Sequence, residues 1–337
     1  LVDFPLSNMA NAGIKTVGIV MPGNYRALID HLGSGRDWML DRKKGGLFMV
    51  PGNAYGTTKG GMRFLLRDII SNKTLFQRSD MPYVVMMGTN IIFNMDLNTI
   101  IEAHEKSGAQ MTVVYCKATR NVDDETKLDI NENGRLTGVS AGVVYGDNAS
   151  MDCCIVNRET LLEIIDHYQA ADYLDLLEAL QGDFGNIDVC SYEYKGEVVG
   201  VFSEKSLYRR SMDLLDQTVA DQLFDPERPI LTKAHDVPPS RYATGSHACN
   251  SIISAGCIIK GTVRNSILSR GVVVEEGASV TNSIINQSCI IKSGARVENA
   301  ILDKNNVVPT NTELRGTPEN ILVLGKAPLT SDTTIVR

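Results

Sequence analysis

Between Asn250 and Leu314 one short phrase, Asn-Ser-Ile or Asn-Ala-Ile, returns at 250–252, 265–267, 282–284 and 299–301, at intervals of 15, 17 and 17 residues. Eight residues after each Asn comes an apolar pair: Ile258-Ile259, Val273-Val274, Ile290-Ile291 and Val307-Val308. A third apolar site follows at Val263, Val280, Val297 and Leu314. Between these sites stand Gly256, Gly261, Gly271, Gly277 and Gly294, with Ser288, Asn305 and Asn311 in register, where a chain turning a corner needs φ > 0. Three short strands per repeat, each offering one inward aliphatic residue, predict a parallel β-helix of four coils that bury their apolar column only by stacking. Such a stack ends in open backbone edges, so a cap, a neighbouring domain or another subunit is expected there.

The periodicity changes from helix-like to coil-like near residue 245, and 337 residues is long for one domain. The expected division is an α/β domain over 1–225, a linker over 226–248 marked by Asp225-Pro226, Pro229 and Pro238-Pro239, and the β-helix over 249–337. The seven cysteines include no C-x-x-C pair and lie mostly in apolar runs, which predicts a buried, reduced set without disulfides or metal. No run of eighteen apolar residues predicts a membrane span, and no signal peptide is read in the chain, so a cytoplasmic protein is expected. A net charge of −7 argues against nucleic acid as a partner. The chain begins at Leu1 on an apolar phrase, Leu1-Val2-Asp3-Phe4, from which an upstream segment is expected.

In chain order, Leu6–Ala12 reads as a helix stopped by Gly13, and Lys15–Met21 as a buried strand. Pro22-Gly23 then breaks the chain, and a helix carrying Leu28, Ile29 and Leu32 ends at Gly33. Helix, strand and helix in this order suit an α/β sheet with crossovers. Residues 37–61 read as a polar, glycine-rich loop and Met62–Ile70 as a helix. Tyr83–Met87 is an apolar strand with Gly88-Thr89-Asn90 at its carboxyl end, where open α/β sheets bind ligands. Asp96 starts a helix that Gly108 ends, and Met111–Tyr115 is the next strand. Asn131-Glu132-Asn133-Gly134 forms a hairpin turn, Ser150 precedes a strand at Cys153–Val156, and Thr160–Tyr168 is a helix. Val189–Tyr194 and Val198–Phe202 are two strands around Lys195-Gly196-Glu197, and Ser203 caps the helix that follows.

The phrases Leu1–Asn8, Asn94-Met95-Asp96-Leu97, Ser150-Met151, Ser211–Leu215 and Pro238-Pro239, together with the Asn-Ser-Ile coils, resemble ADP-glucose pyrophosphorylase, or glucose-1-phosphate adenylyltransferase, in the same order along the chain. The resemblance implies a nucleotidyltransferase domain with a Rossmann-like mixed sheet and helices on both faces, followed by a left-handed β-helix of hexapeptide-type repeats. It implies a reaction in which a sugar phosphate oxygen attacks the α-phosphorus of ATP, with pyrophosphate leaving and Mg²⁺ neutralising the phosphates. The β-helix of the family supports tetramer assembly and allosteric control.

This chain departs from the family's catalytic pattern at several points. Gly-Asp-His-Ile-Tyr of the family corresponds to Gly88-Thr89-Asn90-Ile91-Ile92, which puts Thr89 at the first aspartate position. Asp-Val-Gly-Thr corresponds to Gly200-Val201-Phe202-Ser203, which puts Gly200 at the second. No Lys-Pro phrase stands between Leu136 and Ser150 to contact a sugar phosphate, and the Gly-Thr-Ala-Asp-Ala loop is reduced to Gly56-Thr57-Thr58-Lys59-Gly60. What the resemblance leaves are nucleotide-side matches at Gly56, Thr57 and Gly88 and a sugar-phosphate match at Ser150. Each lost electrostatic group is worth about 10²–10³ in rate. These departures resemble the D-type glycogen-biosynthesis subunit of bacteria, which implies a regulatory chain with little activity alone, no resident cofactor, and a catalytic partner subunit that holds Mg²⁺ in a mixed tetramer. Self-association into a homo-oligomer and residual binding of a nucleotide or sugar phosphate are compatible with that reading. Two alternatives stay open: an active adenylyltransferase, in which Asp96 or Asp213 serves as a shifted carboxylate, and a hexapeptide-repeat acyltransferase. The coils contain no histidine to act as the base that an acyltransferase needs, and His247 falls just before them.

Overall fold

The computed structural model describes residues 1–21, 25–52, 64–168, 175–182, 184 and 186–326. The chain divides into two compact units, one formed by Leu1–Val199 with Gln222–Lys233 and the other by Gly200–Asp221 with the chain from Ala234 onward. In order, the elements outside the coils are α1 (Asp3–Asn11), β1 (Thr16–Met21), α2 (Arg26–Leu32), β2 (Gly46–Pro51), α3 (Leu66–Ser71), α4 (Lys73–Gln77), β3 (Tyr83–Met87), β4 (Ile91–Ile92), α5 (Leu97–Ser107), β5 (Met111–Lys117), β6 (Val122–Ile130), β7 (Leu136–Val143), β8 (Asn148–Asn157), α6 (Arg158–His167), α7 (Leu176–Leu180), β9 (Val189–Glu193), β10 (Val199–Gly200), α8 (Glu204–Asp213) and α9 (Gln217–Leu223).

The first unit is built on a six-stranded mixed sheet in the order β7-β6-β8-β5-β9, with β3 also paired to β8. Only β5 and β9 run parallel in it; the β3–β8, β5–β8 and β6–β7 pairs are antiparallel. β8 is the strand around which the rest is laid, with every residue from Ala149 to Val156 buried. A strand covered on both faces reads as a continuous apolar run rather than an alternation. Leu66 and Ile69 of α3, Leu161, Ile164 and Ile165 of α6, and Leu176, Leu177 and Leu180 of α7 close over Met111, Val113, Cys154 and Val156. Ser150 lies inside β8 rather than before it, because the strand begins at Asn148. The polar residues at its start hid that extension in the sequence.

β1 differs from its sequence reading. It is not a buried strand of the main sheet but pairs in parallel with β2 in a two-stranded sheet, and only Val17 of its six residues is buried. β2 itself falls in the stretch read as a polar loop; its Leu47-Phe48-Met49-Val50 run is short, and the basic segment before it masked it. Leu6 and Ala10 of α1, Leu32 of α2, Trp38 and Leu40 form a separate core against this pair. The indole of Trp38 donates to the Leu231 carbonyl at 3.2 Å, which ties the segment before the coils to this core. β9 pairs with β5, so the two strands flanking Lys195-Gly196-Glu197 do not form a hairpin with each other. The turn at Asn131–Gly134 and the caps at Asp96, Gly108 and Ser203 stand as the sequence predicts.

In the second unit the chain winds into a left-handed parallel β-helix of three five-stranded parallel sheets. The stack holds one coil more than the repeat phrase marks, because strands at Arg241–Tyr242 and His247–Cys249 open it and Leu322–Leu324 closes it. Of each apolar pair the second member points inward: Ile259, Val274, Ile291 and Val308 are at most 1% exposed. Leu268, Ile285 and Leu302 line a second interior column, and Val263, Val280, Val297 and Leu314 a third. Each such side chain contributes about 1.5–3 kcal/mol by burial.

The repeating Asn itself has a function that the sequence reading did not assign. Asn250, Asn265, Asn282 and Asn299 all adopt φ between 44° and 49°, and their amides form a ladder in which each Nδ2 donates to the next Oδ1, at 2.9, 3.3 and 3.4 Å. Asn is the side chain that best tolerates the left-handed region and still offers both a donor and an acceptor to its neighbours. Gly261 is present for a different reason from the corner glycines: its φ is not in the left-handed region, but a Cβ there would stand 2.2 Å from the Ala278 carbonyl oxygen. Helix α8 covers the outside of one coil face, with Tyr208 and Met212 against Ile267, Ile284 and Ile301. The Tyr208 hydroxyl donates to the Asn282 carbonyl at 2.6 Å.

Candidate functional site

The carboxyl end of β3 is where the sequence places a ligand, and the structure makes it a junction of three backbones. Met87 pairs with Cys153 as the last register position of β3 on β8. One residue on, the Gly88 N–H donates to the Asp152 carbonyl at 2.7 Å. Across β8, the pairing with β5 passes from Val113–Cys154 to Tyr115–Ser150, so Val114 alone stands against Met151, Asp152 and Cys153. This is a bulge, the device that re-aims a side chain beside a site. Asp152 sits at its centre with φ +48°, a conformation costly to a residue with a Cβ, and it is 6% exposed.

Gly88 is required by this arrangement. A Cβ at Gly88 would lie 2.8 Å from the Asp152 Cβ and 3.4 Å from Asp152 Oδ2, so the carboxylate leans over the Cα of Gly88. The Asp152 N–H donates to the Ser150 hydroxyl at 3.2 Å, which places Ser150, 5% exposed, in the same cluster. Thr89 follows Gly88 and is exposed. The structure therefore brings together two of the residues singled out in the sequence, Gly88 and Ser150, through a third that sequence reasoning missed. The available signal was an acidic residue inside an apolar run, Met151-Asp152-Cys153-Cys154. Gly56 and Thr57 lie outside the described residues. Gly200 is the buried second residue of β10.

Neither Asp96 nor Asp213, the aspartates considered as a shifted ligand, stands as a bare carboxylate. Asp96 caps α5, its Oδ1 accepting from the Asn98 N–H at 2.9 Å. Asp213 closes α8 in a surface pair with Arg210 at 2.8 Å. Among the described residues no group of three or more His, Cys, Asp and Glu side chains gathers to hold a metal ion. Asp152 is one carboxylate among Gly88, Thr89 and Ser150, whereas a cation bridging a triphosphate is held on paired carboxylates. The described residues do not fit Mg²⁺, and no step is routed through it.

The two cysteines that follow Asp152 hold their thiol protons. Burial, then the Asp152 charge, pushes the Cys153 thiol up to about 12, and burial raises its neighbour Cys154 well above the usual range. At the far end of β8, Lys117 donates to Asn148 at 2.5 Å and Lys127 pairs with Asp147 at 3.3 Å, so both cations are engaged at the sheet margin. The five histidines do not converge. His104 is buried and bonded to Thr112 and Asn157, His31 is paired with Asp3, and His247 lies exposed in the first coil rather than before it. Of the seven cysteines, all free, Cys153, Cys154, Cys257 and Cys289 are buried, while Cys249 is exposed, contrary to a uniformly buried set. No described helix is long and apolar enough to cross a membrane.

A mixed α/β sheet with a glycine at a strand's carboxyl end, followed by a hexapeptide-type β-helix, defines the class of nucleotidyltransferase-fold proteins with a coil domain. Residues 1–127 match the nucleotidyl transferase family, and residues 237–320 match the GlmU-like C-terminal hexapeptide family. The chain is 33% identical to the glycogen biosynthesis protein GlgD of Bacillus subtilis over 97% of its own length and 86% of that protein. It is 32% identical to GlgD of Geobacillus stearothermophilus over 83% of its length and 73% of that protein. It is also 33% identical to the glucose-1-phosphate adenylyltransferase of Halalkalibacterium halodurans, over 97% of its length and 87% of that protein. The chain belongs to the ADP-glucose pyrophosphorylase (glucose-1-phosphate adenylyltransferase) family, which includes these GlgD proteins.

Proposed function

We propose that this chain serves glycogen biosynthesis as a regulatory subunit of ADP-glucose pyrophosphorylase. By itself it makes little or no ADP-glucose, and within a heterotetramer it raises the activity of a catalytic subunit that joins ATP to glucose 1-phosphate. The observation that carries this reading is the junction at the end of β3. The position that should present a metal-holding carboxylate is the exposed Thr89, and the second such position is Gly200. A threonine hydroxyl carries no charge and a glycine no side chain, so the charge of a metal–triphosphate complex meets neither of its expected ligands. Identity to GlgD along nearly the whole chain supports the same assignment.

A second reading, an active adenylyltransferase, is favoured by the equal identity to the Halalkalibacterium halodurans enzyme over the same share of the chain. The two readings separate in one assay. ADP-glucose formation from ATP and glucose 1-phosphate is measured for this chain alone, for a catalytic subunit from the same cell alone, and for the two mixed, alongside co-elution on gel filtration. The regulatory reading expects a near-silent chain, co-elution and a several-fold gain on mixing. Strong activity of the chain alone would establish the second reading, and neither gain nor co-elution would remove the partnership. The acyltransferase reading gains nothing from His247, which is exposed on the first coil with Thr262 as its ladder neighbour.

A further inference from the structure

The four asparagines of the coil ladder share the phrase Asn-Ser-Ile or Asn-Ala-Ile and a left-handed backbone, yet they are not chemically equivalent. A second ladder runs beside the first, through the backbone of the residue that follows each Asn. The Ser266 N–H donates to the Ser251 hydroxyl at 3.1 Å, the Ser283 N–H to the Ser266 hydroxyl at 3.1 Å, and the Ala300 N–H to the Ser283 hydroxyl at 3.2 Å. Ser266, Ser283 and Ala300 are 0% exposed, so these three amides are closed to water as well as bonded. Ser251 opens the series. Its sheet begins at Ile252–Ile253 with no coil before it, and among the described residues the Ser251 N–H meets no acceptor. Asn250 is also held from one side only: its Nδ2 donates to Asn265 Oδ1 at 2.9 Å, whereas Asn265 and Asn282 each accept from one neighbour and donate to the next. Asn250 is exposed and Ser251 half-buried.

We infer that Asn250 is a site of spontaneous deamidation, and that the serine ladder protects Asn265, Asn282 and Asn299 from the same reaction. Water or hydroxide takes the proton from the Ser251 backbone nitrogen, which forms a bond to Asn250 Cγ. The Cγ–Nδ2 bond breaks, and the departing nitrogen takes a proton from water and leaves as ammonia. One water then opens the cyclic imide at either carbonyl, giving aspartate or isoaspartate, and no electrons are transferred to or from another molecule. The reaction needs the attacking nitrogen to lose its proton and the backbone to swing toward the side chain. An N–H that already donates inside the fold, away from water, resists both until the coil opens locally. Such opening is easiest at the end of a stack, where one neighbour is missing. The product alters the coil as well. A carboxylate at position 250 has no N–H to donate and sets an oxygen against Asn265 Oδ1, so the first rung of the asparagine ladder is lost. The inference is independent of the regulatory reading.

The test holds the full chain folded in mildly alkaline buffer, samples it over weeks and digests it, and mass spectrometry of the peptides quantifies aspartate and isoaspartate at the four positions. Asn250 is expected to convert at least several-fold faster than each of Asn265, Asn282 and Asn299. Equal rates, or a faster Asn265, overturn the inference. The same incubation in denaturant removes both ladders. Asn250, Asn265 and Asn282, each followed by Ser and Ile, are then expected to convert at similar rates. A lead of Asn250 that persists in denaturant would belong to its sequence neighbours and would overturn the protection by the fold. A Ser251→Ala variant, checked for folding by circular dichroism melting, takes away the acceptor of the Ser266 N–H and leaves Asn265 and Ser266 as they are. Asn265 is expected to convert several-fold faster in this variant than in the parent, and an unchanged Asn265 in a folded variant overturns the role of the serine ladder. If the variant does not fold, the comparison of folded and denatured parent decides alone.

Discussion

At the scale of single residues, similar letters in this chain answer to different physical demands. Gly277 and Gly261 both lie in the coils, yet Gly277 has φ +73° with only ordinary contacts around its missing Cβ, while Gly261 sits against two carbonyls. Gly277→Ala is expected to cost about 1 kcal/mol, from the left-handed backbone alone. Gly261→Ala is expected to cost more, up to about 3 kcal/mol, because a coil backbone must move to make room. Urea midpoints of the two variants measure the difference, and equal costs would contradict the assignment. The buried thiols make a further prediction about alkali. Burial lifts Cys289 from 9.0 to about 11 and Cys153 to about 12, and it raises Tyr115, Tyr194 and Tyr208 in the same direction. An unfolded chain releases its thiol protons near pH 9 while the folded chain still holds them. The thiols' contribution to stability is therefore complete below pH 9 and is lost as pH rises through 11. Unfolding midpoints should fall between pH 8 and pH 10.5; a flat or rising profile would show that the folded thiols titrate normally.

At the scale of elements, docking matters more than propensity. Helix α8 is short and polar, with Tyr208 as its buried residue, and it is started by a capping box in which Ser203 and Ser206 satisfy one another's backbone N–H groups. It stays on the coil face because Tyr208 fills the space beside Ile284 and Ile301 and its hydroxyl reaches the Asn282 carbonyl. Tyr208→Phe should cost about 1 kcal/mol, the scale of one net hydrogen bond. Tyr208→Ala should cost about 3 kcal/mol or more and should free the α8 amides to exchange faster with solvent. Hydrogen exchange on the parent and both variants checks this, and unchanged α8 protection in Tyr208→Ala would mean that other contacts hold the helix. Asp96 belongs to the same scale. Its carboxylate is spent as the N-cap of α5, so this acidic residue, seven places beyond Thr89, does not stand as a bare carboxylate.

At the scale of the molecule, the β-helix unit behaves as a stack in which each coil depends on its neighbours. A lesion in the middle breaks two interfaces and a lesion at the end breaks one. Ile291→Ala, inside the stack at 0% exposure, is expected to cost about 2–5 kcal/mol. Leu324→Ala, in the half-buried closing strand, is expected to cost less than about 1.5 kcal/mol. Equal costs would indicate that the last coil is covered as fully as the middle ones. Open strand edges at the end of a stack are where another chain can pair, and the partnership proposed above is tested from the side of function by the mixing assay.

The β-helix was legible in the sequence because its register is local. Each interior column recurs at a fixed spacing, and the same spacing sets both the corner and the inward side chain. The hairpin at Asn131–Gly134 and the caps at Asp96 and Ser203 were legible for the same reason, since each depends on residues within a few positions of one another. Pairing between distant segments was not. Nothing near Thr16–Met21 states that β1, among the described residues, pairs with β2 and not with the main sheet, and nothing near Ser150 states that β8 begins before it. The resemblance legible in the sequence alone is what puts Thr89 and Gly200 at the positions where carboxylates are expected, because motif order and spacing need no coordinates. Only the tertiary structure decided that Asp152, far along the chain from Gly88, lies over it. A bulge in β8 and a hydrogen bond across 64 positions are products of how strands assemble, and no local pattern encodes them.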